Sequence, residues 1–545
     1  MAKRISVILI FALLALAIAA CSGKNGENNG AGGGNAAGST NESASSEAGS
    51  SGEIKVGGSL IFGVGADPLE LNPIYAGDRV SLTINQALFA PLFQVNNGEK
   101  TFYLAESLTP SEDGRTYTLK LKDGLTWHDG QPLTADDVVF TFDAILDEKQ
   151  NSMFRSNLIL GGEPIRAVKV DDRTVEFRLP QVNPAFEATL VQLTPIPKHI
   201  FENVANIEQS EKNLYDVVGS GPFKFREYKP GEYLTLERFD GYALGKPKLD
   251  SITYRIAKDS NAALLALQNG ELNVYYVNPQ DVPTIEATGN FEILPYSEGR
   301  LAYLLFNENS ANGLLAKKEI RQAISYALSR EEMIQTVYSS GEYAEPAKSF
   351  VTPDGLFWTN DVTTYDNDVE KAKELLAAAG ASNPKLTFII SSGNKAMEAA
   401  ALYVQQKLKD VGITVEIQSL DASAFGQKFA DASATDFDLA YSGYIMGYDP
   451  DAYRILYESD GDANYSHYNN PKVDELFDQG AREPDPEKRG AVYKELQEII
   501  AEDAVIYPVA YTKTIVAVDK RFGGIEEAVL KPVVIFEDPS KLYLK

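Results

Sequence analysis

The chain has 545 residues, 44% of them hydrophobic, which is ordinary for a globular protein and long enough to build more than one lobe. Its 77 acidic against 50 basic side chains give a net charge of −27, which excludes nucleic acid as a partner because that role needs a cationic surface. One cysteine and three scattered histidines (His128, His199, His467) leave no disulfide framework, and no HExxH, Cys/His cluster, GxSxG elbow or phosphate loop occurs, so no catalytic, metal or cofactor site is expected.

Lys3 and Arg4 precede an apolar run over 5–20, too short for a comfortable membrane span but suited to an export signal. Cys21 stands directly behind Ile18-Ala19-Ala20. This arrangement resembles the lipobox of bacterial lipoproteins, with Ile18 where leucine is usual. The resemblance implies that Cys21 becomes the first mature residue and carries a diacylglycerol. Each buried methylene of its chains would contribute about 0.8 kcal/mol to a stable membrane anchor. Residues 22–52 are almost wholly Gly, Asn, Ala, Ser and Glu without an aromatic, and read as a flexible linker. Its r.m.s. reach would be roughly 30 Å.

Ile54, Val56, Leu60, Phe62 and Val64 alternate as a half-buried strand, and a helix is expected over 81–92. Tyr117, Leu119 and Leu121 predict a strand closed by the turn Asp123-Gly124, and Val175, Phe177 and Leu179 another. Between them Trp127-His128-Asp129-Gly130 turns into Thr134, the N-cap of a helix through Leu146. His128 and Asp129 read as turn and capping residues. Three short alternating runs follow (Phe223 and Phe225; Leu234 and Leu236; Ile252, Tyr254 and Ile256), then helical spacing from Ile320 to Val337. A helix is expected over 367–380, opening at Asn367 with Glu370 in capping-box position. Leu386, Phe388 and Ile390 predict a strand, 396–411 a helix, and Ile413, Val415 and Ile417 a second strand, which is a βαβ unit with parallel strands. Phe437, Leu439 and Tyr441 add a strand. The loop 442–451 would then lie beyond a carboxyl edge, where ligands collect in open α/β sheets. Asp449-Pro450, Asn470-Pro471 and Asp485-Pro486 read as N-cap and N1 pairs.

Residues 116–145, TYTLKLKDGLTWHDGQPLTADDVVFTFDAI, resemble the signature stretch of the family 5 extracellular solute-binding proteins, the peptide-binding components of ABC transporters. TPIPKHIF at 194–201, VGSGPFK at 218–224, NGELN at 269–273, RQAISYA at 321–327 and YNNPKVD at 468–474 follow in the family's order, so that the likeness runs over about 58–511. It implies an α/β fold with two hinged lobes, periplasmic-binding-protein-like (type II, cluster C), with an extra inserted domain. Lobe one would comprise 53–98, 217–300 and 513–545, the inserted domain 99–216, and lobe two 301–512. Val516 and Val518 would then pair with early strands.

The resemblance further implies closure of the lobes on an extended oligopeptide, with delivery to permease subunits driven by their ATPases. The protein would be a monomer without a cofactor, held by lipid on the outer face of the cell membrane of a Gram-positive host. Candidate ligand contacts are Asp78, Arg79 and Val80 in lobe one, where Asp78 and Arg79 offer opposite charges for peptide termini or for the lobe interface. In lobe two they are Gly443, Tyr444, Ile445, Met446, Gly447, Tyr448 and Asp449, together with Asn464. Dipeptide and oligopeptide binders often place an aspartate for the peptide amine in this second segment; Met446 or Gly447 occupies its place here, and nearby Asp449, followed by Pro450, reads rather as a helix cap. Another solute on the same fold (an oligosaccharide, an opine or a nickel chelate), a pheromone receptor and an extracellular hydrolase are the alternatives.

Overall fold

The computed structural model describes residues 55–96, 99–338, 341–365, 367–431 and 433–545. The export signal 1–20, Cys21 and the linker 22–52 lie outside the described residues. Among the described residues, no helix is long and apolar enough to cross a membrane.

One long mixed sheet organises the molecule. Its strands run in the order Phe223–Lys229, Tyr233–Arg238, Ser251–Ile256, Ser59–Val64, Val274–Tyr276, Ile506–Asp519, Phe291–Phe306, Leu439–Ile445, Lys385–Ser391 and Thr414–Leu420, with Ala344–Pro346 added on Ile506–Asp519. The two central strands, 16 and 14 residues long, are antiparallel partners. Phe291–Ser297 pairs with Lys513–Asp519, and Arg300–Leu305 with Ile506–Thr512. Val516 and Val518 reach Tyr276 and Val274 on the other side, one strand short of Ser59–Val64.

The buried apolar residues part at the same place. One cluster draws on Leu60 to Tyr296 and again on Val516 to Leu542, while another runs from Leu301 to Tyr511. A smaller third cluster, including Leu267, Ile285 and Ala517, backs the first half of the sheet. A separate four-stranded sheet, Ala105–Pro110, Thr116–Leu121, Thr174–Arg178 and Arg166–Asp171, shares the first cluster.

Local sequence explains most elements. Thr134 caps Ala135–Leu146 by accepting from the Asp136 amide, while the Asp137 carboxylate accepts from the Thr134 amide at 2.9 Å. This helix buries Val138, Phe142 and Ile145, and Phe142 meets Phe177 of the four-stranded sheet at 4.7 Å between ring centroids. The βαβ unit is present, with Lys385–Ser391 and Thr414–Leu420 parallel and joined by the helix Lys395–Asp410. Gly412, at φ +84°, takes the left-handed conformation that ends that helix.

Some boundaries differ from expectation. Among the described residues the first strand begins at Ser59, because Gly57 and Gly58 both turn through positive φ after Val56, and Ile54 lies outside the described residues. The helix expected over 81–92 is Arg79–Leu88, since the Asp78 carboxylate accepts from the amides of Val80 and Ser81 and so starts it earlier. Asp368, not Asn367, caps Val369–Ala378, which moves Glu370 out of capping-box register and leaves it paired with Lys373. The strand at Leu439 runs on to Ile445, where it pairs with Arg300, so the loop expected over 442–451 shrinks to the turn around Met446–Asp449.

Two glycines and a histidine fix the end of Arg79–Leu88. A Cβ on Gly219 would lie 2.0 Å from the Leu88 carbonyl oxygen, so only glycine permits the approach. His128 accepts from the Gly219 amide at Nδ1 and donates from Nε2 to the Gly221 carbonyl. Burial pulls this imidazole down to about 4, so it stays neutral and structural.

Candidate functional site

The two halves of the sheet meet at a register break. Ser297 pairs with Lys513, and the next paired residue, Arg300, stands opposite Thr512, so that Glu298 and Gly299 bulge out of the ladder. Gly299 has φ +64° and is the residue that allows the bulge. Glu298 points into protein and is 2% exposed.

Arg79, the first residue of its helix, grips Glu298 with both arms of its guanidinium, at 2.7 and 2.9 Å. Thr514 Oγ1 at 2.6 Å, the Val533 amide at 2.9 Å and the Tyr296 hydroxyl at 3.1 Å complete the donors around the carboxylate. Burial alone would push the Glu298 carboxyl up, but the Arg79 guanidinium and these donors outweigh it and hold it below the usual carboxylate range. The Val533 carbonyl accepts from Tyr276 Oη and from Arg79 Nη1, so both backbone polar groups of Val533 are held.

That clamp explains an unusual backbone. Val533 and Ile535 have φ near +70°, which β-branched side chains rarely adopt. Each is spanned by a two-residue hydrogen bond, Val534 N to the Pro532 carbonyl and Phe536 N to the Val534 carbonyl, giving two γ-turns of the strained kind. Strain of this sort persists where the surroundings over-determine it, at Val533 through Arg79, Tyr276 and Glu298.

From the other half, the loop after Val351 reaches the same junction. The Ser297 hydroxyl donates to the Asp354 carboxylate, and the Gly299 amide donates back to Ser297 Oγ. The Leu356 amide donates to the Tyr448 carbonyl at 2.8 Å, which joins this loop to the turn Met446–Asp449.

The residues singled out in sequence therefore occupy different situations. Asp78 spends Oδ1 on capping, while its Oδ2 is buried without a partner among the described residues. Arg79 is committed to Glu298, and Val80 packs against the first core. Gly443 and Ile445 lie within the strand, half-buried. Tyr444 is buried, its hydroxyl donating to the Phe350 carbonyl and bonded to Tyr457. Met446 packs on the second core, and Gly447 and Tyr448 are exposed. Asp449 caps Pro450–Tyr453 and is held bidentately by Arg489 at 2.8 and 2.7 Å, with side chains 10% and 5% exposed, so neither oxygen is open to a ligand amine. Asn464 is absorbed in its own loop, donating to the carbonyls of Glu458 and Tyr468 and accepting from the Tyr468 amide.

Sequence reading missed Glu298 and Arg300. Their only local signal is that two charges flank Gly299 immediately before the apolar run Leu301-Ala302-Tyr303-Leu304-Leu305-Phe306.

Comparison with known proteins gives a consistent picture. The profile described as "Bacterial extracellular solute-binding proteins, family 5 Middle" matches residues 102–466. The oligopeptide-binding protein AppA of Bacillus subtilis (strain 168) is 32% identical over 521 residues, which is 91% of this chain and 90% of AppA. Among solved structures, the ABC transporter substrate-binding protein CtaP of Listeria monocytogenes matches with TM-score 0.87 at 51% identity, over 90% of this chain and all of that one. The AppA structure from Bacillus subtilis in complex with a nonapeptide matches with TM-score 0.76 at 30% identity, over 90% of this chain and 100% of AppA.

Proposed function

The chain belongs to the bacterial extracellular solute-binding proteins, family 5, and from that premise we propose that it captures oligopeptides outside the cell and hands them to the permease of an ABC importer. The observation that carries the proposal is the likeness to peptide-bound AppA over 90% of the chain. The fold is that of a two-lobed, periplasmic-binding-protein-like molecule. In this reading lobe one is 53–98, 217–300 and 513–545, the inserted domain 99–216 and lobe two 301–512. The paired strands Phe291–Phe306 and Ile506–Asp519, broken at Glu298 and Gly299, are the hinge.

Closure about that bulge would bring the helix start at Asp78 towards the turn Met446–Asp449. A peptide lying between them would offer the same backbone donors and acceptors whatever its sequence, which suits a receptor of broad specificity. The protein acts as a monomer, binds without turnover and needs no cofactor. Cys21 carries the lipid, and 22–52 is the tether that keeps the lobes near the outer face of a Gram-positive membrane.

Two measurements test this. A mixed pool of tetra- to nonapeptides, added to unfolded and refolded protein, is expected to raise Tm, because a ligand at a hundred times its Kd stabilises by about 2.7 kcal/mol. Stabilisation by an oligosaccharide or opine pool, with none from peptides, overturns the peptide assignment. For the anchor, Cys21→Ser is expected to move the protein from the membrane fraction to the medium, and unchanged membrane retention overturns lipidation at Cys21.

A further inference from the structure

We propose that Arg300 is the anion seat of the cleft and takes a carboxylate of the bound peptide, an inference that rests on the peptide-receptor reading above. Arg300 opens the second half of the strand Phe291–Phe306, directly after the hinge bulge, and is half-buried. It pairs with Thr512 on one side and with Ile445 on the other. Ile445 is the carboxyl end of the strand Leu439–Ile445, so Arg300, on a central strand, sits beside a strand's carboxyl end, where ligands gather in open α/β folds.

Elsewhere in the chain, arginines drawn out of water hold carboxylates: Arg79 holds Glu298, Arg489 Asp449, Arg321 Glu308 and Arg454 Glu458. Among the described residues no carboxylate pairs with Arg300, although the chain carries 77 acidic side chains. A guanidinium drawn partly out of water without a counter-charge is costly to keep, and the cost is removed when a ligand supplies the anion.

The surroundings are shaped for such a group. Because Arg300 stands opposite Ile445 and Ala302 opposite Gly443, these four residues share one face of the sheet. The absent side chain at Gly443 is what gives the guanidinium room: a Cβ there would lie 3.4 Å from Arg300 Nη2 and 3.5 Å from Nε. Tyr441, two residues back on the same face, meets Tyr338 hydroxyl to hydroxyl at 2.8 Å, and both phenols lie within the field of Arg300. Two hydroxyls sharing one hydrogen bond use one proton between them. The second proton has no acceptor among the described residues. The guanidinium fork is the side-chain shape that matches a carboxylate bidentately.

The test compares calorimetric binding of three tetrapeptide pools to the full chain: free acids containing Asp and Glu, free acids lacking them, and C-terminal amides lacking them. Wild type, Arg300→Gln and Arg300→Lys are measured, with thermal unfolding as the folding check. Arg300→Gln is expected to weaken carboxylate-bearing pools by ~10-fold or more and to leave the neutral amide pool nearly unchanged, with Arg300→Lys between them. Loss confined to the Asp/Glu pool assigns the seat to an acidic side chain; loss in both free-acid pools assigns it to the terminal carboxylate. Equal binding of all pools by Arg300→Gln and wild type overturns the seat and leaves the peptide reading standing. Should Arg300→Gln not fold, wild type alone decides, and no preference for carboxylate over amide overturns the seat. Failure of every pool to bind wild type overturns both.

Discussion

Arg79→Ala is expected to destabilise the protein by roughly 3 kcal/mol or more in urea unfolding, among the largest effects of any single substitution outside the apolar cores. The reason is what it leaves behind. Glu298 is 2% exposed, and without the guanidinium its charge is retained at the register break with only neutral donors around it. Adding Glu298→Gln is therefore expected to restore part of the loss, since the amide keeps an acceptor for Val533 and removes the uncompensated charge. A double variant no more stable than Arg79→Ala would overturn this account.

The pH dependence has a definite sign. A carboxyl held low in the folded state contributes stability above its unfolded pKa, near 4.3, and loses that contribution as pH falls through its lower folded value. In Arg79→Ala burial acts on Glu298 without the guanidinium, so the gap between variant and wild type is expected to be widest at neutral pH and to narrow below about pH 4.

Asp449→Ala is expected to cost about 4 kcal/mol, because it removes the partner of Arg489 and the cap of Pro450–Tyr453 together. Arg489 also donates to the Gly480 carbonyl and lies 5.0 Å from the Tyr493 ring centroid, so it cannot swing to water without breaking the contact between the helices Pro471–Arg482 and Pro486–Glu502. Asp449→Asn keeps an acceptor for the Asp451 amide and is expected to fall between the two. With both carboxylate oxygens on Arg489, Asp449→Asn is further expected to leave peptide Kd within about threefold of wild type in calorimetry. A tenfold loss in folded protein would return Asp449 to the ligand site.

These two ion pairs mark where the sequence became hard to read. Asp449 was legible as an N-cap because Pro450 follows it, and capping is decided within four residues. Its pairing with Arg489, 40 positions on, carries no local mark. Arg79 was noticed for its charge beside the first helix, yet its partner lies 219 residues away in a strand whose visible signal is its apolar run. Asp78 was seen as a free charge and proved to be half spent on the backbone amides of its own helix.

By itself the sequence determined what depends on neighbours along the chain: the alternation of Leu386, Phe388 and Ile390, the cap at Thr134, the helix stop at Gly412, and an unbroken run of motifs that places the chain in its family. These follow from side-chain periodicity and backbone capping, which act over a turn or a strand. The tertiary structure decided which charges are paired and which are not. Desolvation and Coulomb attraction act through space, so only folding sets Glu298 against Arg79 and Asp449 against Arg489 while leaving Arg300, one bulge away, without a carboxylate among the described residues.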